Sequence, residues 1–131
     1  MAVNNRTSLS AGKVIRALLL SSKEVTDITS NIFPVATDKA VLPYVLYRRA
    51  SLAQLANNTR NHSDSTSIEI TCFSDTYTRG LDLAEAVRGA LDGEQGETDG
   101  LVMRSCMLVD GEEAWQDDAY VQQLVFEVKI L

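Results

Sequence analysis

The sequence has few of the side chains on which most enzymes depend. Among its 131 residues there is one histidine, His62, and it lies in the polar segment NTRNHSDST without a recognisable partner. Acid–base and nucleophilic catalysis generally use His, Cys or paired carboxylates held by rigid structure. We therefore predict that the protein is not an enzyme, and a hydrolase built on His62 or on the carboxylates between Asp110 and Asp118 is the weakest alternative.

Cysteines and glycine-rich motifs are also scarce. Cys72 and Cys106 have neither C-x-x-C spacing nor a nearby histidine, which predicts two buried free thiols. Gly93, Gly96 and Gly100 follow a predicted helix and precede a strand, which is the wrong order for a dinucleotide-binding loop. We expect no cofactor.

No apolar run approaches the roughly 18 residues of a membrane-spanning helix. The segment MAVNNRTSLSAGK lacks the basic, apolar and small-residue order of a secretory signal, so we expect that the protein is not secreted. The net charge of -6 argues against general nucleic-acid binding, because such binding depends on Lys and Arg that neutralise phosphates.

Acidic residues are plentiful, and five of them cluster in one predicted connection. An oxygen-lined cation site is conceivable there, but the spacing fits no calcium-binding loop, and charged hairpin connections are usually just solvated. We predict no metal site in this cluster, which comprises Asp110, Glu112, Glu113, Asp117 and Asp118.

Apolar periodicity predicts two helices near the start of the chain and a third in the middle. The first begins after Ser8 or Ser10, and a short second helix has capping-box spacing at Ser21 and Glu24 and is ended by Pro34. The third begins at a cap and ends before a glycine; its cap is Asp75 or Thr76, its stripe is Tyr77, Leu81, Ala84, Val87 and Leu91, and the glycine is Gly93.

Alternating apolar and polar residues predict four strands. The first two are residues 44–49 and 65–73, separated by a long polar loop over residues 52–65. LVMRSCMLVD and AYVQQLVFEVKIL follow, joined through the acidic connection DGEEAWQDD. The order α-α-β-β-α-β-β predicts one α+β domain over residues 1–131, with a mostly antiparallel four-stranded sheet and two main helices packed on one face.

Several predicted strands are apolar on both faces. Val45 and Tyr47 lie opposite Tyr44 and Leu46, and a later strand repeats the pattern. Such strands are central in a sandwich or covered by a partner. With two helices of useful length available, we infer that a partner surface covers part of the sheet.

The whole pattern resembles a known family. The helix AGKVIRALLLSSKEVTDITS, the segment NIFPVATDKAVLPYVLYR, the strand-to-helix run SIEITCFSDTYTRGLDLAEAVRGAL and the closing strand pair are similar to the tail-completion or tail-terminator-like proteins of phages and prophages. The resemblance implies a small α+β structural protein of the virion tail, made in the bacterial cytoplasm, without cofactor or catalytic residue. It also implies a ring, typically hexameric, that ends the tail tube and contacts the head connector.

On this hypothesis the polar and charged segments serve assembly with other copies, with tail-tube protein and with head-connector proteins. The alternative is a small ligand-binding or regulatory α+β domain whose loops hold a small molecule. The residues predicted to form the assembly interface are Arg48, Arg49, Leu55, Arg60, Asp110, Glu112, Glu113 and Trp115.

Overall fold

Six strands form one mixed sheet that curls into a half-barrel. The computed structural model describes residues 7–37, 41–55 and 63–130. The strand order is β1-β2-β3-β6-β5-β4; β1 runs parallel to β2, and every other neighbouring pair is antiparallel. The strands are β1 Ile32–Pro34, β2 Tyr44–Leu55, β3 Ser63–Ser74, β4 Gly96–Thr98, β5 Leu101–Gln116 and β6 Ala119–Ile130.

The predicted four-stranded, mostly antiparallel sheet with helices on one face is therefore wrong. β1 and β4 contain three residues each, too few for an alternating pattern to be visible in the sequence. Pro34, which was expected to end a helix, instead ends β1 at the edge of the sheet. An edge strand tolerates proline because its missing N–H removes no ladder hydrogen bond.

The helices near the start of the chain are α1, Ala11–Ser21, and α2, Lys23–Thr26, after a short 3₁₀ turn at Ser8–Ser10. The Val25 N–H donates to Oγ of Ser22 at 3.3 Å and so caps α2. The second helix is thus shorter than predicted, and it begins one residue later than the capping-box spacing suggested.

The third helix, α3, spans Tyr77–Leu91, and its predicted start is confirmed. The Arg79 N–H donates to the Thr76 side chain at 3.2 Å. Gly93 lies just past the end with a φ of 80°, a conformation that suits glycine. The buried stripe is shifted from the prediction, because Tyr77 is exposed and the buried residues are Gly80, Leu83, Ala84, Val87 and Leu91.

One large core joins α1, α3 and the central strands. Phe126 on β6 and Ile68 on β3 are fully buried in it, as is Leu83 on α3. Cys72 and Cys106 lie in the same core as free thiols, which confirms that prediction. Burial raises the pKa of each thiol to about 12, so neither is readily ionised.

Both predicted polar connections contain residues that belong to strands. β5 continues to Gln116, and the turn to β6 consists of Asp117 and Asp118, with φ values of 51° and 59°. Two consecutive residues with positive φ are typical of a tight type I′ hairpin. β2 likewise continues to Leu55 and β3 begins at Ser63, so the predicted loop over 52–65 is also wrong at both ends.

Candidate assembly interface

The β5 strand outgrows its neighbour and leaves a free edge. β4 pairs with Leu101–Met103 alone. The end of α3 covers the next part, because the Gly93 N–H donates to the Cys106 carbonyl at 2.7 Å and the Leu108 N–H donates to Oδ1 of Asp92 at 2.9 Å. Beyond this point no strand among the described residues pairs with that side of β5. We call this part, Val109–Gln116, the free β5 edge, and all eight of its residues are exposed.

Side chains of the free β5 edge alternate between the two sides of the sheet. We call the side that carries buried Phe126 the core side and the opposite one the outer side. The register pairs Asp110 with Val125 and Glu112 with Gln123, which places both carboxylates on the outer side. Glu113 and Trp115 lie on the core side, near the start of α3.

A polar and aromatic cluster fixes the tip of the β5–β6 hairpin against α3. The Tyr77 hydroxyl and the Gln122 amide each donate to Oε2 of Glu113 at 2.8 Å. The rings of Trp115 and Tyr77 both meet Tyr120 edge-on, with centroids 4.8 Å and 5.9 Å away. Trp115 is nevertheless 59% exposed, which leaves a large apolar surface at the tip.

The hydrogen bonds in this cluster shift two pKa values in opposite directions. Those from Gln122 and Tyr77 stabilise the ionised carboxylate and lower the pKa of Glu113. The bond to Glu113 raises the pKa of Tyr77, because ionising the phenol would remove the donor. The cluster is therefore intact at neutral pH, with a charged acceptor and a neutral donor.

We expect Glu113 to make stability depend on pH in the acid range. Its folded pKa lies below its ordinary value of 4.5, so its contribution is present above that value and is lost as the pH falls through the folded pKa. Glu113→Gln should therefore lower the free energy of unfolding at pH 7, and this loss should shrink below pH 4.5. Urea unfolding at several pH values measures this. Glu112→Gln is the matched control. If the free energy of unfolding of Glu113→Gln followed that of wild type at a constant difference over the whole pH range, the lowered pKa of Glu113 would be wrong.

The outer side of the sheet carries a second, smaller apolar cluster near the same hairpin. Phe73 and Val121 are buried in it, and the Tyr44 ring stacks on Phe73 with centroids 4.6 Å apart. Val45, next to Tyr44, lies in the main core instead. The prediction that this strand is apolar on both faces is therefore confirmed.

The opposite margin of the sheet carries a second free edge. β1 pairs with Val45–Tyr47, and the Val35 N–H donates to the Tyr47 carbonyl at 2.8 Å. After Tyr47 no strand among the described residues lies beside β2 on that side. We call Arg48–Leu55 the free β2 edge.

Seven of the eight predicted interface residues fall on these two free edges. Arg48 forms an ion pair with Glu69, Nε to Oε2 at 2.8 Å, and Nη1 of Arg49 donates to the Leu9 carbonyl at 3.0 Å. Leu55 is the last residue of β2, and Arg60 lies outside the described residues. Asp110, Glu112, Glu113 and Trp115 are on the free β5 edge.

Pairing across the sheet places Arg48, Glu69, Val125 and Asp110 in one row on the outer side. Arg48 and Asp110 stand at its two ends, about 14 Å apart at the usual strand spacing. The structure therefore places Arg48 and Arg49 on one margin and the predicted anions on the opposite one.

Comparison with known proteins identifies the family. The family model described as Tail completion protein gp17 matches residues 13–131. The chain belongs to this family. A search of curated proteins finds no match. A chain of the solved structure "Virion of native gene transfer agent (GTA) particle" has the same fold, with a TM-score of 0.82 and 13% identity over 95% of this chain and 98% of that chain.

Membership of the tail completion family confirms the resemblance drawn from the sequence. The protein is a structural assembly protein of a phage tail and belongs to the virion tail. In the parts of the chain that the structure describes, no group of three or more His, Cys, Asp or Glu side chains could hold a metal ion. Over the same residues no helix has the length and apolar character needed to cross a membrane. His62 lies outside the described residues.

Sequence reasoning missed part of the site of this tail completion protein. The sequence predicts Tyr120 and Gln122 to lie in a strand and assigns them no role, and it predicts Tyr77 to lie on a buried helix stripe. Their meeting with Glu113 depends on the β5–β6 register and on the position of α3. No local sequence pattern predicts the β5–β6 register or the position of α3. Three aromatic residues near the ends of two predicted elements were nevertheless a usable signal of a cluster.

Proposed function

We propose that the protein closes into a ring of its own copies, a hexamer, at the head-proximal end of the tail tube. There it ends tube polymerisation, docks to the head-connector proteins and acts without catalysis, cofactor or metal. The observation that carries the proposal is the exposed β5–β6 hairpin, where Trp115 stands out of the surface of a tail completion protein. Exposed aromatic anchors of this kind are enriched at protein interfaces.

A ring requires two different contact patches on each subunit. A heterologous contact whose rotation closes produces a finite assembly, whereas a self-complementary patch produces a dimer. The sheet offers two such patches, because its two margins differ in sequence and in charge. The proposed contacts use Arg48, Arg49, Leu55, Arg60, Asp110, Glu112, Glu113 and Trp115.

The test adds the purified protein to polymerising tail-tube protein and measures tube lengths by electron microscopy. We expect shorter tubes as the protein concentration rises, with the protein bound at one tube end. Trp115→Ala should weaken this effect, while Val102→Ala, at an exposed apolar residue elsewhere on β5, should not. Tubes of unchanged length with no bound protein would contradict the proposal.

A further inference from the structure

The two free edges carry opposite charge. The free β2 edge has Arg48 and Arg49 and no acidic residue, whereas the free β5 edge has three carboxylates and no basic residue. Charges on an edge strand commonly prevent pairing with another chain. Here they oppose pairing of either edge with its own copy, because like charges would face each other. They favour pairing of the β5 edge with the β2 edge.

Strand directions permit this unlike pairing. Three successive antiparallel pairings separate β2 from β5, so the two strands run in opposite directions within one subunit. In a closed sheet whose strands are tilted to the ring axis, rotation about that axis brings the edges of neighbouring copies together and keeps the relative direction of their strands. The β5 strand of one copy would then meet the β2 strand of the next in an antiparallel arrangement, which has near-perpendicular hydrogen bonds.

The short edge strands leave room for the neighbour. β1 covers the beginning of β2 and β4 covers the beginning of β5, so both free edges are the later parts of their strands. Because the strands are antiparallel, these parts lie at opposite ends of the sheet. A neighbour that pairs along both is displaced along the strands, as occurs where tilted strands form a closed curved sheet.

We infer that neighbouring subunits join by extending the sheet, the free β5 edge of one copy pairing with the free β2 edge of the next, so that Asp110 and Glu112 approach Arg48 on the outer side while Arg49 and Glu113 share the core side. This inference rests on the proposed ring. Arg48 can meet the neighbour and keep Glu69, because its side chain is 52% exposed and a guanidinium has five donors. The occupant of both edges is a second copy of this chain.

The test reverses the charge of each edge in the full-length protein. The β5 variant is Asp110→Lys with Glu112→Lys, and the β2 variant is Arg48→Glu with Arg49→Glu. Each replaces attraction with repulsion. Each variant alone should therefore need at least about a tenfold higher protein concentration to assemble, as measured by sedimentation velocity. An equimolar mixture should assemble again, because every contact then joins a positive edge to a negative one. A chain with all four substitutions should also assemble.

Two controls keep the result interpretable. Asp82→Lys with Glu85→Lys, on exposed positions of α3, changes the net charge by the same amount as the β5 variant and should assemble normally. Arg49→Glu with Ser51→Glu is a second β2 variant that preserves the ion pair between Arg48 and Glu69. Circular dichroism confirms that each variant is folded.

The outcomes separate this inference from the proposed function. If wild type forms rings and both edge variants do so equally well, or if their mixture fails to assemble, sheet extension is overturned while the ring remains. If wild type is monomeric at all concentrations, the ring and the sheet extension both fall. Loss of assembly in each folded variant with recovery in the mixture supports the pairing of unlike edges.

Discussion

Replacing Phe126 with alanine is expected to lower the free energy of unfolding by about 3–5 kcal/mol. Phe126 is fully buried on β6, between Ile68 of β3 and Leu108 of β5. Its removal takes an aromatic ring from the main core at a place where strands on both sides limit collapse into the space. A domain of this size has about 5–15 kcal/mol of stability, so much of it would be lost.

Equilibrium unfolding in urea, followed by far-ultraviolet circular dichroism, measures the effect. Phe33→Ala is the matched control, because Phe33 is half-buried on the edge strand β1 and should cost less than half as much. Phe126→Leu should cost less than Phe126→Ala because it leaves a smaller cavity. A loss below about 1 kcal/mol for Phe126→Ala would show that this region is not the rigid centre of the core.

The same glycine-to-alanine substitution should have opposite effects at two positions of α3. A β-carbon at Gly80 would lie 2.8 Å from Oγ of Ser74, a buried hydroxyl that donates to the Thr76 carbonyl. The helix and the end of β3 would have to separate, so Gly80→Ala should destabilise by about 1–2 kcal/mol despite the better helix propensity of alanine. Gly89 has open space around its α-carbon, and Gly89→Ala should stabilise by about 0.5–1 kcal/mol.

Thermal unfolding of the two variants beside wild type measures both effects: Gly80→Ala should unfold at a lower temperature than wild type and Gly89→Ala at a higher one. Gly80→Ala combined with Ser74→Ala tests the cause, because it removes the clashing hydroxyl and should recover part of the loss. Stabilisation by Gly80→Ala alone would show that α3 does not approach β3 as closely as the structure indicates.

Local patterns were sufficient where an element is amphipathic and bounded by its own capping residues. Thr76 and Gly93 mark the ends of α3, and Ile68, Ile70 and Cys72 alternate with polar residues along β3. Each of these signals depends on residues close in sequence. The start of β2 after Pro43 was found for the same reason.

The errors arose where strand structure depends on pairing with another strand and leaves no pattern in the segment itself. Residues 109–116 are exposed on both sides, so they show no alternation, and their strand conformation comes from pairing with β6. The three-residue strands β1 and β4 form because they pair with the edges of β2 and β5. Polar composition was therefore mistaken for a loop, and the sheet was predicted with too few strands.

The correction changes where assembly residues act. The acidic segment was predicted to be a solvated connection, but in the structure it holds Asp110 and Glu112 along a strand edge in a fixed register. Regular spacing of charges on extended backbone gives direction and register to a contact, which a flexible loop does not. The acidic part of the proposed interface therefore lies on the rigid sheet.

Native mass spectrometry of the purified wild-type protein over a range of concentrations tests whether the subunits close into a ring. We expect a single closed species of six subunits in equilibrium with monomer, without a series of larger open oligomers. Negative-stain images of the same sample should show rings with a central hole. A protein that remains monomeric at every concentration, or one that forms a two-fold dimer and nothing larger, would show that the proposed ring is wrong.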